Sequence, residues 1–432
     1  MDLTEKGSAA ISLESYRRMG RLLVAVILAL HGYFLWTIRG GIARGDPDFT
    51  VYFTAGKMLR EGRGGELYDA RAQLEVQREF TRESPLRRGP LPYIHPPFEA
   101  LLFVPLTFLP YRAAFVLWNA VNLGLLGWVF GRLRRWLVSL GRIAALDWML
   151  ACLAFFPVLA NFHQGQDAIL LLLVLVLGFG ALSENADFAA GCWLGLGMFK
   201  FQFMLPMALI LALWRGRKLA YGFTLVAAAT VAVSIALVGW QEALEYPAYA
   251  WHIVSRVRLG GLPARLMPNL MGLVNGWPGL ENVGWPLKMV ALAGSAGLLI
   301  ALASMTKMAR DPRLANLCIA CAVIAAVTIS YNTNTYDLSL LVLPIALLVD
   351  YSLRAREPRR AFKALFVPAL PLLISPLWFV LWLRWERNNL MAIFLLWWLY
   401  LIWKEIRRVR AGAGESGLAC APAMADSWTT KA

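Results

Sequence analysis

The segment Asp46-Pro47-Asp48-Phe49, with Tyr52 one turn later, is the strongest chemical feature of this sequence. Asp48 lies a few residues beyond an apolar stretch and beside two aromatic side chains, which favour the membrane–water interface. A carboxylate that loses hydration in such a place becomes a stronger base, which suits a general base. Asp46 is its close competitor, and Asp-Pro-Asp is also good turn chemistry.

Cationic and amide side chains that could bind an anion occur elsewhere in the chain. Lys200 lies inside an otherwise apolar stretch, where a lysine is costly unless its ammonium reaches water, pairs with an acid or binds a ligand. Because an ammonium can neutralise a phosphate leaving group, Lys200 is a candidate for phosphate binding. We assign the same role to His163, Gln166, Arg256 and Arg258.

A second group of polar residues could hydrogen-bond a polar substrate: Asp46, Tyr52, His95, Asn269 and Asp337. His95 could donate to a phosphate group or simply lie at the interface. Asp337 begins an apolar segment, so it could orient a hydroxyl or stabilise a helix N-terminus.

These residues belong to a chain built of apolar segments. Only 16% of its 432 residues are charged, against about a quarter in soluble domains. Runs of about 20 apolar residues can cross a bilayer as helices. The net charge of +15 comes from Arg and Lys at the ends of apolar segments, which indicates cytoplasmic anchoring and not nucleic-acid binding. Four of the five cysteines lie in apolar segments, so no disulfide framework is expected.

The pattern predicts an all-α, polytopic transmembrane bundle with about twelve spans. The spans are predicted near Leu22–Trp36, Tyr111–Phe130, Ala144–Ala160, Ala168–Ser183, Phe188–Phe199, Phe201–Trp214, Leu219–Val238, Pro286–Met305, Ala315–Ser330, Leu338–Asp350, Ala364–Leu383 and Met391–Trp403. We expect a re-entrant or interfacial helix at Phe98–Pro110. The short pair around Lys200 could also be a re-entrant hairpin.

Basic residues orient this bundle. Arg17, Arg18 and Arg21 precede the first span and place residues 1–19 in the cytoplasm. With twelve spans, every strong basic cluster of a short loop falls on the same side. Residues 20–404 then form the transmembrane domain, with outer loops 39–97 and 240–285, and residues 405–432 form a disordered cytoplasmic tail. The candidate residues all fall on the non-cytoplasmic side.

Seven short motifs occur in an order that resembles glycosyltransferase family 87, a family of GT-C-type membrane enzymes. They are Asp48-Phe49 with Tyr52, Leu67-Tyr68-Asp69, Pro96-Pro97-Phe98, Gly165-Gln166, Lys200 with Pro206, Pro268-Asn269 with Gly272, and Tyr336-Asp337 with Pro344. The similarity runs from about Leu22 to Trp403. Two departures are Lys200-Phe201, where the family often has Lys-Pro, and Ser330-Tyr331, where it often has Ser-Pro.

The resemblance implies a transferase of the inner (cell) membrane that uses a polyprenyl-phosphate sugar, usually mannose. It implies inverting transfer to a lipid or glycan acceptor at the periplasmic or exterior face, with Asp48 as general base. The residues that would bind the donor phosphate are Lys200, His163, Gln166, Arg256 and Arg258. Those that would bind the sugar or the acceptor are Asp46, Tyr52, His95, Asn269 and Asp337.

We see no clear two-carboxylate metal site and expect neither an obligatory metal nor another cofactor. If a metal binds, Asp46 and Asp48 are the first residues to inspect. The alternative function is a transporter or flippase of lipid-linked sugars, which the short segments around Lys200 favour.

Overall fold

The computed structural model describes residues 3–81, 90–255, 262–277, 279, 284–367 and 369–411. Within these ranges the chain forms helices and turns and no strand, which confirms the all-α prediction. The α-helices are α1 Leu3–Arg44, α2 Phe49–Arg60, α3 Ala70–Phe80, α4 Pro97–Ala100, α5 Tyr111–Trp136, α6 Ala145–Ala154, α7 Phe156–Gln164, α8 Ala168–Ser183, α9 Asp187–Leu196, α10 Phe201–Arg215, α11 Arg217–Val238, α12 Trp240–Val254, α13 Leu270–Asn275, α14 Trp285–Ala303, α15 Thr306–Ala309, α16 Ala315–Ile329, α17 Val342–Arg354, α18 Pro358–Phe366, α19 Leu370–Leu373, α20 Ser375–Phe379 and α21 Met391–Ala411. Helix α21 therefore includes the start of the predicted tail.

Seven segments of the described chain are long and apolar enough to cross a membrane, or eight if the bent pair α6–α7 is one span. They are Arg18–Ile42, Tyr111–Trp136, Asp187–Arg215, Arg217–Val238, Trp285–Ala303, Thr335–Arg354 and Asn388–Ala411. Helices α8 and α16 are apolar but only 16 and 15 residues long. The prediction of about twelve spans is therefore not confirmed.

Proline breaks two of the predicted spans. The span predicted at Ala144–Ala160 consists of α6 and α7, which meet at 69°, and Pro157 lies in the first turn of α7. The span predicted at Ala364–Leu383 is divided among short helices, and Pro371 and Pro376 start two of them, α19 and α20. Proline lacks an N–H and is best tolerated in the first turn of a helix, and each of these prolines is the second residue of a new helix.

The segment Asp187–Arg215 is a hairpin and not one straight helix. A straight helix of these 29 residues would be about 42 Å long. Arg215 Nε nevertheless lies 2.7 Å from Asp187 Oδ1, so the two ends are adjacent. The backbone leaves the helical region at Lys200, where φ is −121° and ψ is 62°. The Lys200 hairpin, comprising α9, the 3-10 turn Gly197–Lys200 and α10, thus has Lys200 at its apex.

Two glycines allow α9 to pack directly against the backbone of α11. A Cβ at Gly191 would lie 2.0 Å from the Leu219 carbonyl oxygen, and a Cβ at Gly222 would lie 2.1 Å from the Phe188 carbonyl oxygen. Such approaches leave no room for a side chain. This contact fixes the depth at which the apex of the Lys200 hairpin enters the bundle.

The segment between α1 and α5, predicted as a large outer loop, contains α2, α3 and α4 and has its own hydrophobic cluster. Phe49, Met58, Phe103 and Trp118 are among its buried members. Residues Phe98–Pro110, predicted as re-entrant or interfacial, form no span, only the end of α4 and a 3-10 turn. By contrast, only 11% of the most apolar stretch of α1 is buried.

We predict that Gly191→Leu strongly destabilises the protein. Overpacking in a core typically costs about 1–3 kcal/mol, and here the new side chain meets backbone that cannot rotate away. Gly124→Leu is the matched control, because a Cβ there has no atom within 4 Å. Thermal unfolding in detergent measures the effect. Equal melting temperatures for the two variants would contradict the packing of α9 on α11.

Candidate functional site

Asp48 immediately precedes α2, and the turn after α7 holds both its backbone and its side chain. The Asp48 N–H donates to Gln164 Oε1 at 3.0 Å. Gln166 Nε2 donates to Asp48 Oδ2 at 2.8 Å. The Tyr336 hydroxyl hydrogen-bonds the same carboxylate. Asp48 therefore has a fixed position and a fixed orientation.

Gly165 makes this double contact possible. It ends α7 in the left-handed conformation, with φ 60° and ψ 43°. A Cβ at this position would lie 2.8 Å from the Cβ of Phe49 and 2.9 Å from a ring atom of Phe115. The turn can therefore approach the start of α2 only because residue 165 has no side chain.

Asp48 lies in the wall of a cavity of about 160 Å³. The lining residues are Asp48, Val51, Tyr52, Leu91, Pro92, Ile94, His95, Gln166, Val254, Leu262, Asn332, Asn334 and Tyr336. Four of the residues singled out from the sequence thus meet at one cavity, although they come from separate segments. The mixture of acid, amide, phenol and apolar groups suits a polar substrate with an apolar attachment.

Tyr52 connects the cavity wall to the buried groups behind it. Its hydroxyl donates to Gln166 Oε1 at 2.6 Å and lies 3.3 Å from Asp167 Oδ1. His95 Nε2 lies 3.4 Å from the same hydroxyl. Burial lowers the pKa of His95 to about 4, against the smaller opposing effect of Asp167, so the imidazole is neutral at physiological pH.

Lys200 forms a buried ion-pair triad. Its ammonium lies 2.8 Å from Asp167 Oδ1 and 2.7 Å from Asp337 Oδ1. Asp167 precedes α8, and Asp337 Oδ2 accepts from the Asn334 N–H at the start of a 3-10 turn. Helix N-termini favour negative charge, which stabilises the Asp167 carboxylate at the start of α8. Lys200 thus pairs with acids, one of the three outcomes expected from the sequence.

Glu99 lies beside this triad and is completely buried. Its Oε2 lies 2.8 Å from His95 Nδ1. Burial and the neighbouring Asp167 raise the pKa of Glu99 well above its usual range. Burial also opposes ionisation of Asp167, but the Lys200 charge, His95 and hydrogen bonds from Glu99 and Lys200 together lower the Asp167 pKa. With only these groups present, Glu99 is protonated and Asp167 is ionised.

Other residues singled out from the sequence lie away from the cavity wall. Asn269 is buried, accepts from the Gly272 N–H at the start of α13 and donates to the Ser330 carbonyl oxygen. His163 contacts the rings of Phe34 and Trp382.

Asp46, the competitor of Asp48, pairs with Arg44 at 2.9 Å and does not line the cavity. Arg256 and Arg258, which we predict to bind phosphate, lie outside the residues that the structure describes.

Sequence analysis did not assign Glu99, Asp167 or Tyr336 to the site. Glu99 follows His95 by four residues, a spacing that places two side chains on one face where the chain is helical. Asp167 directly follows Gln166 and precedes an apolar helix, where an acid stabilises the N-terminus. These two signals were present in the sequence but are weak without the fold.

We predict that Gly165→Ala costs more stability than Gly62→Ala. Both glycines have left-handed φ, so alanine is strained by about 1–2 kcal/mol at each. At Gly62 a Cβ meets no atom within 4 Å, whereas at Gly165 it collides with two aromatic residues. Melting temperatures of both variants test this, and a Gly165→Ala protein no less stable than Gly62→Ala would rule out the close approach.

Comparison with known proteins identifies the family of the chain. Residues 93–330, more than half of the chain, match the model of glycosyltransferase family 87. A polyprenol-phosphate-mannose-dependent alpha-(1-2)-phosphatidylinositol pentamannoside mannosyltransferase of Mycobacterium tuberculosis (strain CDC 1551 / Oshkosh) is 26% identical over 231 residues. The match covers 53% of this chain and 52% of that relative, so the chain spans about half the length of the curated relative. No solved structure matches the sequence significantly. The resemblance inferred from the seven motifs is confirmed, and the chain belongs to glycosyltransferase family 87.

Proposed function

We propose that this protein is a membrane hexosyltransferase. It moves a sugar, which we expect to be mannose, from a polyprenyl-phosphate donor to an acceptor hydroxyl. Family membership supports the reaction class. The mycobacterial relative is a polyprenol-phosphate-mannose-dependent mannosyltransferase, which supports the choice of donor. The acceptor is a lipid or a glycan.

The observation that carries the proposal is the Asp48 carboxylate, held in the wall of the cavity by Gln166 at 2.8 Å. Gln166 and the Tyr336 hydroxyl both hydrogen-bond the carboxylate. A carboxylate can accept about four hydrogen bonds, so Asp48 can also accept from a hydroxyl bound in the cavity that it lines. A fixed base next to a bound hydroxyl is the geometry that general-base catalysis needs.

In the proposed reaction, Asp48 takes the proton of the acceptor hydroxyl while its oxygen attacks the anomeric carbon. The bond from that carbon to the phosphate oxygen breaks, and the lipid phosphate leaves with the bonding electrons. Attack opposite the leaving group inverts the configuration. The leaving phosphate needs stabilisation of its charge and no acid, since it is already a good leaving group.

The groups that stabilise the phosphate remain predictions. Lys200 is engaged with Asp167 and Asp337, so in this conformation it acts through these acids as a positioning residue. Direct contact with phosphate would require the triad to open. His163, Arg256 and Arg258 remain candidates from the sequence.

We infer that the site faces away from the cytoplasm. The first residue of α5, Tyr111, hydrogen-bonds Thr50 beside the site, whereas its last turn carries Arg134 and Arg135. Helix α17 likewise follows Asp337 and ends at Arg354. Because basic clusters mark the cytoplasmic ends of spans, the opposite ends, which carry the site, lie outside.

We predict that Asp48→Asn lowers transfer by about 10²–10⁴-fold, because the amide cannot accept the proton. The assay supplies membranes that contain the protein with polyprenyl phosphate carrying labelled mannose and measures labelled product. Asp46→Asn is the matched control: it removes a neighbouring acid that pairs with Arg44 and lies off the cavity, and it should retain transfer.

Two results would change this assignment. Normal transfer by Asp48→Asn would remove Asp48 from the mechanism. If the properly inserted wild-type protein transfers sugar from no polyprenyl-phosphate donor, movement of lipid-linked sugar across the bilayer becomes the favoured function, and it is measured in the same vesicles.

We also predict that Gln166→Met lowers kcat on the order of 10²-fold with little change in the donor KM. The variant keeps the volume of the side chain but releases Asp48, and small displacements of a catalytic group have effects of this size. Steady-state kinetics with varied donor separate the two constants. A raised donor KM with unchanged kcat would instead support the phosphate-binding role predicted from the sequence.

A further inference from the structure

Three side chains of the kinds that bind metal ions converge behind the wall of the Asp48 cavity. One ring nitrogen of His95 and one carboxylate oxygen each of Glu99 and Asp167 lie within 4.8 Å of one another. The side chains of Glu99 and Asp167 are fully buried, and that of His95 is 16% exposed. We propose that these three residues bind a divalent metal ion of the Mn²⁺ or Zn²⁺ type.

The carboxylate oxygens of the cluster lack N–H and hydroxyl donors. Among the residues that the structure describes, both oxygens of Glu99 and Oδ2 of Asp167 are buried and accept no such hydrogen bond. The hydrogen bond between Glu99 and Asp167 itself requires a proton on one of the two carboxylates. Glu99 Oε2 nevertheless lies 2.8 Å from His95 Nδ1. A nitrogen and an oxygen this close, without an N–H aligned between them, have the arrangement of neighbouring ligands on one ion. Two buried carboxylates in contact are costly unless a proton or a cation lies between them, and a bound cation would replace the shared proton.

The charges of the cluster match a divalent ion. Glu99, Asp167 and Asp337 are three carboxylic acids, and Lys200 is the one cation that contacts them in the described part of the chain. With all three acids ionised, two negative charges remain in a buried place. Lys200 binds Asp167 through Oδ1, which leaves Oδ2 for the ion.

The ligand types indicate which ion fits. An imidazole favours transition metals, whereas carboxylates also accept Mg²⁺ and Ca²⁺. One imidazole with two carboxylates therefore favours Mn²⁺ or Zn²⁺ over Mg²⁺ and Ca²⁺. From the sequence we expect no obligatory metal and would inspect Asp46 and Asp48 first if one binds, but these acids contact Arg44 and Gln166.

The position of the cluster suggests what the ion does. His95 belongs both to the cluster and to the cavity wall, and Tyr52 contacts His95 and Asp167. A bound ion would add positive charge next to the cavity, where the proposed reaction releases a lipid phosphate. This use of the ion rests on the proposed function, whereas binding of the ion does not.

Metal uptake by the full-length protein in detergent tests the proposal. Chelator-washed protein is dialysed against MnCl₂ or ZnCl₂, bound metal is measured by elemental analysis, and bound Mn²⁺ is followed by EPR. We expect about one ion per chain. Glu99→Gln keeps the size of the side chain but removes its charge, and it should weaken binding by more than the 10–100-fold typical of losing an outer-shell partner.

Two further variants make the result specific. His95→Asn should also weaken binding, whereas Asp46→Asn, which removes an acid outside the cluster, should bind as the wild type does. Melting temperatures identify any variant that fails to fold. The proposal is wrong if the wild-type protein binds neither ion at about 1 mM, the weak end of protein metal sites, or if folded Glu99→Gln and His95→Asn both bind like the wild type. The cluster would then hold a proton on Glu99.

Discussion

The buried contact of Lys200 with Asp167 and Asp337 is the constraint on which the site depends. It joins the apex of the Lys200 hairpin to the starts of α8 and of the 3-10 turn before α17. Leaving one of these charges without its partner would be costly in an apolar bundle. The three segments must therefore meet at one depth. Asp167, the residue after Gln166, thereby positions the turn that holds Asp48.

The sequence predicted the helical class and the approximate positions of the apolar segments because length and hydropathy alone determine them. It also indicated that the pair around Lys200 could be a hairpin. It could not distinguish complete crossings from short buried helices, since α8 and α16 are as apolar as true spans. The fragmentation near Pro371 and Pro376 was visible as prolines, but their effect depends on packing.

For the site, sequence analysis predicted Asp48, Tyr52, His95 and Gln166, and these four residues line one cavity. Their residue types and their places next to apolar segments were sufficient signals. Glu99 was not found, because its spacing from His95 is only a weak signal until the fold places Asp167 against both residues. Asn269 was singled out as polar, yet it caps a helix, a role that only its backbone partner reveals.

Helix α1, which precedes Asp48 in the chain, buries little of its apolar stretch against the rest of the protein. Its apolar stretch faces mainly outward, so its tilt will follow the thickness of the surrounding lipid. The turn after α7, however, holds Asp48 by two hydrogen bonds. Gln164 accepts from its backbone N–H, and Gln166 donates to its carboxylate. Asp48 is thereby held by the bundle as well as by the chain that precedes it, so a change in the tilt of α1 in a different bilayer need not displace the carboxylate.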